Sequence, residues 1–159
     1  MSEWDAFAEI YDAWSADMTD DVDFYVDLAR EAEGPVVELA VGTGRVAIPI
    51  AERTGKRVIG IDSSPAMLAV ARESAASAGV EIELREGDLR DLVLEEPTDL
   101  VICPYRSLLH LPDWHTRRRL FERVAAVAEV RTKRARVERG QPVVMHAVTG
   151  DLMSPLMDA

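Results

Sequence analysis

Cysteine is almost absent from this chain. A single Cys103 in 159 residues excludes an internal disulfide and fits a reducing, cytoplasmic setting. Long apolar runs are missing as well, and none approaches the roughly 20 residues of a membrane span. Basic residues are scarce: 18 Lys and Arg stand against 29 Asp and Glu, for a net charge of −11. A general nucleic-acid binder gains affinity by neutralising phosphates, so this balance argues against one. The chain has three histidines. His115 and His146 have no partners at metal-ligand spacing, and no metal is expected. The acidic start, Met1-Ser2-Glu3-Trp4-Asp5, reads as neither a signal nor a transit peptide.

What remains is a chain nearly half hydrophobic and about a third charged, long enough to bury a core as one domain or one domain cut short. The charge is uneven. From His115 to Gly140 nine Arg and Lys face three Glu, which reads as a solvated helix face and loop.

The chain then resolves into alternating elements. Trp4, Phe7, Ala8, Tyr11 and Trp14 fall at helical spacing. Met18-Thr19-Asp20-Asp21 reads as a turn and helix start, and Val22, Tyr25, Val26 and Ala29 mark a second helix that stops near Gly34-Pro35. Strand one is predicted over 36–41 and a helix from about Gly44 to Thr54, with Pro49 as a place for a kink. Strand two is predicted over 57–61. Ser64 and Pro65 then form a helix N-cap and first position, and Gly79 is the stop. Strand three is predicted over 80–84, a loop over 95–98 and strand four over 99–103, buried and parallel. Asp113 caps a further helix with Leu120, Phe121, Val124, Val127 and Ala128 inward, and 142–145 reads as strand five. Alternation of this kind predicts an α/β fold: three layers, doubly wound, on a mostly parallel sheet.

The most informative segment is Val36-Val37-Glu38-Leu39-Ala40-Val41-Gly42-Thr43-Gly44-Arg45-Val46-Ala47. A strand runs through a glycine turn into a helix start, which offers free N–H groups and close backbone approach. Gly42 to Ala47 satisfies the dinucleotide pattern, with Asp62 about 20 residues on to accept from a ribose diol. Three features favour a different nucleoside cofactor. Glu38 places a carboxylate within strand one, which suits a ligand carrying a positive group. Gly87-Asp88-Leu89 places an acid after strand three, where an adenine amino group could donate. Asp62 leads straight into the capped helix at Ser63-Ser64-Pro65-Ala66-Met67.

These residues resemble the class I S-adenosylmethionine-dependent methyltransferases. Glu38 to Gly44 is similar to their first motif, Val58 to Ser64 to the second, Gly87-Asp88-Leu89 to the third, and Leu100 to Tyr105 with Leu108 to Leu111 to the fourth. The segment Phe7 to Asp12 resembles their cofactor lid, and the likeness covers roughly 4–130. It implies a Rossmann-like methyltransferase fold with S-adenosylmethionine as cofactor. By the same resemblance Gly42, Thr43 and Gly44 form the loop at the methionine part, organised by Glu38. Asp62 and Ser63 lie at the ribose, and Asp88, Leu89 and Met67 frame the adenine. Tyr11 closes the pocket, and Cys103 ends strand four beside it. His110, just after strand four, reads first as a capping or loop histidine and is the best candidate should a base be needed, and Tyr105 and Arg106 are candidates to face substrate. Trp4 and Trp14 read as helix packing.

Two departures are expected to matter. Ala40 stands where the motif usually has its first glycine. After the fourth helix, 131–140 replaces the family's usual turn, so the C-terminal strands are expected to be incomplete and the chain truncated or frame-shifted. The domain reading is a helical cap over 1–34, a cofactor domain over 35–148 and a tail over 149–159. The expected activity is direct methyl transfer to a small-molecule acceptor, without nucleic acid or membrane, and with self-association through an exposed sheet edge. A non-catalytic cofactor-binding remnant and a nicotinamide-dependent oxidoreductase are the alternatives.

Overall fold

The structure, a computed structural model, describes residues 4–91, 93, 98 and 100–124. A short 3-10 turn leads into α1 (Ala8–Ser15) and α2 (Val22–Glu31). Then come β1 (Val36–Leu39), α3 (Ala47–Thr54), β2 (Val58–Asp62), α4 (Pro65–Ala78), β3 (Glu83–Glu86) and β4 (Leu100–Ile102). Residues 114–124 form a further helix, α5. The four strands pair in the order β3-β2-β1-β4, and every pair is parallel. The α/β architecture expected from the alternation is therefore present.

Period-two alternation divides the core into two layers. Val36, Val58, Leu100 and Ile102 face α2, α3 and α4. Val37, Leu39, Ile59, Ile61 and Val101 face the other way, onto Leu108, Leu111 and the Leu120 and Val124 of α5. Buried on both faces, β1, β2 and β4 need near-continuous apolar sequence, and they have it. Helix α2 buries Val22, Tyr25, Val26 and Ala29, one stripe at helical spacing. Gly60 leaves room for the Val41 side chain of the turn after β1 to lie over β2, since a Cβ there would meet it at 2.7 Å.

Local signals set the ends of the helices. Ser64 Oγ accepts from Met67 N at 3.2 Å, with Pro65 next in the first helical position. Asp113 Oδ1 accepts from Thr116 N at 2.7 Å and so starts α5. Pro49 sits in the first turn of α3, where its missing N–H breaks no intrahelical bond.

The predicted strand bounds shift. Strand one stops at Leu39, because Ala40 turns to φ +54°. Strand three moves from 80–84 to Glu83–Glu86, because Val80 is spent on ending α4. Gly79 adopts φ +70°, and the N–H of Val80 reaches back to Ala75 O at 3.0 Å, the Schellman closure. Strands two and four are Val58–Asp62 and Leu100–Ile102. Strand five at 142–145, Val127, Ala128, the tail at 149–159 and most of the 95–98 loop lie outside the described residues. Among the described residues no helix is long and apolar enough to cross a membrane, and no group of three metal-ligating side chains gathers.

Candidate functional site

Strand order reverses between β1 and β4. In open α/β sheets ligands bind outside the carboxyl ends of the strands at such a switch point. A cleft of about 900 Å³ lies there, and each strand exit contributes to its wall.

The exit of β1 is the tightest turn. Ala40, Gly42 and Gly44 all take positive φ, at +54°, +57° and +91°. The left-handed region costs an L-residue about 1–2 kcal/mol, so Ala40 is strained where a glycine would not be. Gly44 is required twice over, by its φ and because a Cβ would meet Ile48 Cδ1 at 2.8 Å. Two backbone bonds hold the turn, from Val41 N to Ile61 O at 3.1 Å and from Gly44 N to Val41 O at 3.0 Å. Ala40 and Gly42 reach the cleft wall.

Asp62 ends β2 and also lines the cleft, as do Ser63 and Met67. Its Oδ2 accepts from Gly42 N at 2.8 Å and its Oδ1 from Ser64 N at 2.9 Å. Burial raises its pKa, and the amides of Ser64, Gly42 and Ser63 oppose that rise.

Beyond β3, Asp88 and Leu89 stand on the wall with Arg90. Arg90 Nε donates to Asp88 Oδ2 at 2.8 Å and holds the Asp88 carboxyl below its ordinary pKa. Beyond β4, Tyr105 takes φ +59°, and the Arg106 guanidinium lies 5.8 Å from its ring centroid. His110, exposed, ends a 3-10 turn, Ser107–His110, that buries Leu108. Tyr105, Arg106, Leu109 and His110 all border the cleft.

The N-terminal segment covers the remaining side with Trp4, Phe7, Tyr11 and Trp14. It is tied down at three points. Trp4 meets His110 edge to face at 4.7 Å. Ser64 Oγ donates to Asp5 Oδ1 at 2.7 Å. Arg45 holds Asp21 through two parallel bonds, with Nη2 to Oδ2 at 2.9 Å, and donates also to Met18 O. Burial raises the Tyr11 pKa, against the nearby Arg45 charge.

Four of the expected site residues stand behind the wall. Gly44 shapes the turn from below. Thr43 is buried, and its Oγ1 has no hydrogen-bond partner among the described residues. Cys103 packs into the apolar layer under α5, where burial pushes its thiol up to about 12. Glu38 is buried on the α2–α3 side of β1, and its Oε2 has no hydrogen-bond partner there. Burial pushes Glu38 up to about 8, against the pull of Arg45 and with the push of Asp21 and Asp62.

The N-terminal aromatics were legible as a helical stripe, with Tyr11 expected at the pocket, but the place of Trp4 and Trp14 on the cleft wall was not. Trp4 and Trp14 pack against neighbouring rings and also form cleft wall. The Arg45–Asp21 clamp was missed. Its only sequence signal is a basic residue inside the glycine turn and an acid pair at 20–21.

A parallel sheet, a glycine turn after β1, an acid ending β2 and a cleft at the switch point define a Rossmann-like α/β domain. Residues 36–130, more than half of the chain, match the family model described as a methyltransferase domain, and the chain belongs to that family. It is similar to a demethylmenaquinone methyltransferase from Thermus thermophilus, 45% identical over 65 residues, covering 40% of this chain and 30% of that protein. Among solved structures it is similar to the CcbJ methyltransferase from Streptomyces caelestis, at 30% identity and a TM-score of 0.68, covering 76% of this chain and 50% of that one. The glycopeptide N-methyltransferase MtfA, solved with S-adenosyl-L-methionine, is similar at 27% identity and a TM-score of 0.60, over 68% of this chain and 48% of that one. The chain thus spans half or less of the length of each of these relatives.

Proposed function

We propose that this chain binds S-adenosylmethionine in the cleft and directs its methyl group onto a small-molecule acceptor. The observation that carries the reading is the Asp62 carboxylate, which fixes the Gly42 amide while lining the cleft. Its two oxygens accept from the Gly42 and Ser64 amides, and a carboxylate has lone pairs beyond these for a ribose hydroxyl. The exits of β1 and β3 then frame the two ends of the nucleoside, with Gly42 at the methionine part and Asp88, Leu89 and Met67 at the adenine.

Bound there, the cofactor supplies an electrophilic methyl on a sulfonium leaving group. The protein's part is to hold the acceptor in line and keep water out. With the cofactor bound, an acceptor held in line would need only a free lone pair toward the methyl group, and the sulfonium would leave as a neutral thioether. Where the acceptor is a hydroxyl, its proton goes to His110, which borders the cleft.

A small-molecule acceptor is supported by the acidic charge and by the names of several relatives, among them a ubiquinone biosynthesis O-methyltransferase from Xanthomonas euvesicatoria. Others are named as release factor glutamine methyltransferases, which makes a protein acceptor the second reading.

The test is calorimetric titration of the chain with S-adenosylmethionine and, separately, NAD. Saturable binding of the first and not the second is expected. Binding of NAD instead would overturn the reading in favour of an oxidoreductase, and binding of neither would leave a remnant without a working site.

A further inference from the structure

The cleft wall formed by the N-terminal segment and the loop after β4 is apolar and ringed with aromatics. Trp4, Phe7, Tyr11 and Trp14 touch one another at centroid distances of 5.7–6.2 Å, mostly edge to face. None of the four is buried, and Trp14 is 52% exposed. Leu109, on the facing loop, is 55% exposed. Single exposed apolar residues need no explanation, but a contiguous set bordering a cavity marks a ligand surface.

Charge on the wall is nearly all spoken for. Asp88 is paired with Arg90, and Asp62 accepts from the Gly42 and Ser64 amides. Arg106 has no carboxylate partner among the described residues. Its guanidinium leans instead on the ring of Tyr105, which is held in the left-handed region at φ +59°. A bulky residue there is strained by on the order of 1–3 kcal/mol, and such strain gathers at ligand sites. A chain with a net charge of −11 thus keeps one uncommitted guanidinium beside an aromatic wall. That planar fork matches a carboxylate in two parallel bonds. A single cation balances a monoanion; a phosphate dianion would leave charge unmatched beside Asp62 and Asp88.

We propose that the methyl acceptor is a flat aromatic carboxylate, its ring seated on Trp4, Phe7 and Trp14 and its carboxylate on Arg106. This deepens the methyl-transfer reading of the same cleft and rests on it. Cationic amines are disfavoured at this wall by the same guanidinium.

The test uses the full chain saturated with S-adenosylhomocysteine, so that no turnover occurs. Three probes of one ring are titrated: 4-hydroxycinnamate, its methyl ester and tyramine. The acid is expected to bind at least tenfold tighter than the ester, and tyramine weaker than both. Arg106→Gln should bring the acid down to the ester's affinity, and Arg106→Lys should recover part of the difference. Trp14→Ala should weaken acid and ester alike, since it removes ring contact and not charge. Affinity for S-adenosylhomocysteine should hold in the Arg106 variants. Equal binding of acid and ester, preference for tyramine, or no binding of any probe to the loaded protein would each overturn the proposal. Failure of S-adenosylhomocysteine itself to bind would sink the cofactor reading first, and this proposal with it.

Discussion

Asp62 Oδ2 accepts the backbone N–H of Gly42 at 2.8 Å, across 20 residues of sequence. The same carboxylate takes Ser64 N on its other oxygen at 2.9 Å. One side chain therefore locks the exit of β1 to the exit of β2 and to the start of α4. The acid that a sequence reader assigns to the ligand is also a structural brace.

Removal of that brace should cost stability and binding together. Asp62→Ala leaves the Gly42 and Ser64 amides without their acceptor, at about 1–3 kcal/mol for an unsatisfied buried donor. Asp62→Asn keeps one acceptor oxygen and should lose less. Thermal melts and S-adenosylmethionine titrations of both variants test this. An Asp62→Ala protein with an unchanged melting temperature would show that the two amides find other partners.

Glu38 should make the empty protein's stability pH-dependent. Its folded pKa is raised from 4.5 to about 8. Between those values the unfolded chain has released the proton and the folded chain still holds it. Stability from this group is therefore full below pH 4.5, falls as pH rises toward 8 and is level above that. At roughly 1.4 kcal/mol per unit the whole effect is at most a few kcal/mol. Glu38→Gln should flatten that slope in denaturant melts taken from pH 5 to 8. A cationic cofactor settling near Glu38 should also draw its proton off, so the binding enthalpy near pH 7 should vary with the ionisation enthalpy of the buffer.

The α/β alternation was legible because helix and strand periods differ and because Ser64, Pro65 and Gly79 punctuate them. Strand ends were less so. Val80 has the alternating pattern of a strand but is used to close α4, a choice made by backbone geometry that no hydropathy pattern records. The turn after β1 could be read from glycine spacing. Its supports could not: Arg45 to Asp21 spans 24 residues and Trp4 to His110 more than a hundred, and each pairing exists only once the sheet has brought the segments together. Glu38 was legible as a carboxylate in a strand, but the orphaned oxygen depends on what surrounds it.

The turn after β1 should respond oppositely to two substitutions. Ala40→Gly removes the strain of an L-residue at φ +54° but frees the unfolded chain, for a net gain of about 0.5–1 kcal/mol. Gly44→Ala forces a methyl against Ile48 at φ +91° and should cost about 1–3 kcal/mol. Melting temperatures of the two variants check the signs. A destabilised Ala40→Gly would mean that the methyl group makes packing contacts worth more than the strain.

The Arg45–Asp21 pair connects the N-terminal segment to the glycine turn, and Glu38 feels both charges. The pair is mostly buried, with side chains 14% and 22% exposed, so a lone survivor is poorly solvated. Arg45→Ala should cost about 1–3 kcal/mol, less than the 3–5 of a fully buried pair. Arg45→Lys should recover only part, since an ammonium cannot reproduce the two parallel bonds. Arg45 lowers the Glu38 pKa and Asp21 raises it. Removal of Arg45 alone should therefore move the Glu38 transition to higher pH. Removal of both charges, as in Arg45→Ala with Asp21→Asn, should bring it part of the way back. A double-mutant cycle followed by melts across pH 5 to 9 measures the coupling. If the single and double variants share one pH profile, the clamp acts on the N-terminal segment alone and the buried carboxyl is insulated from it.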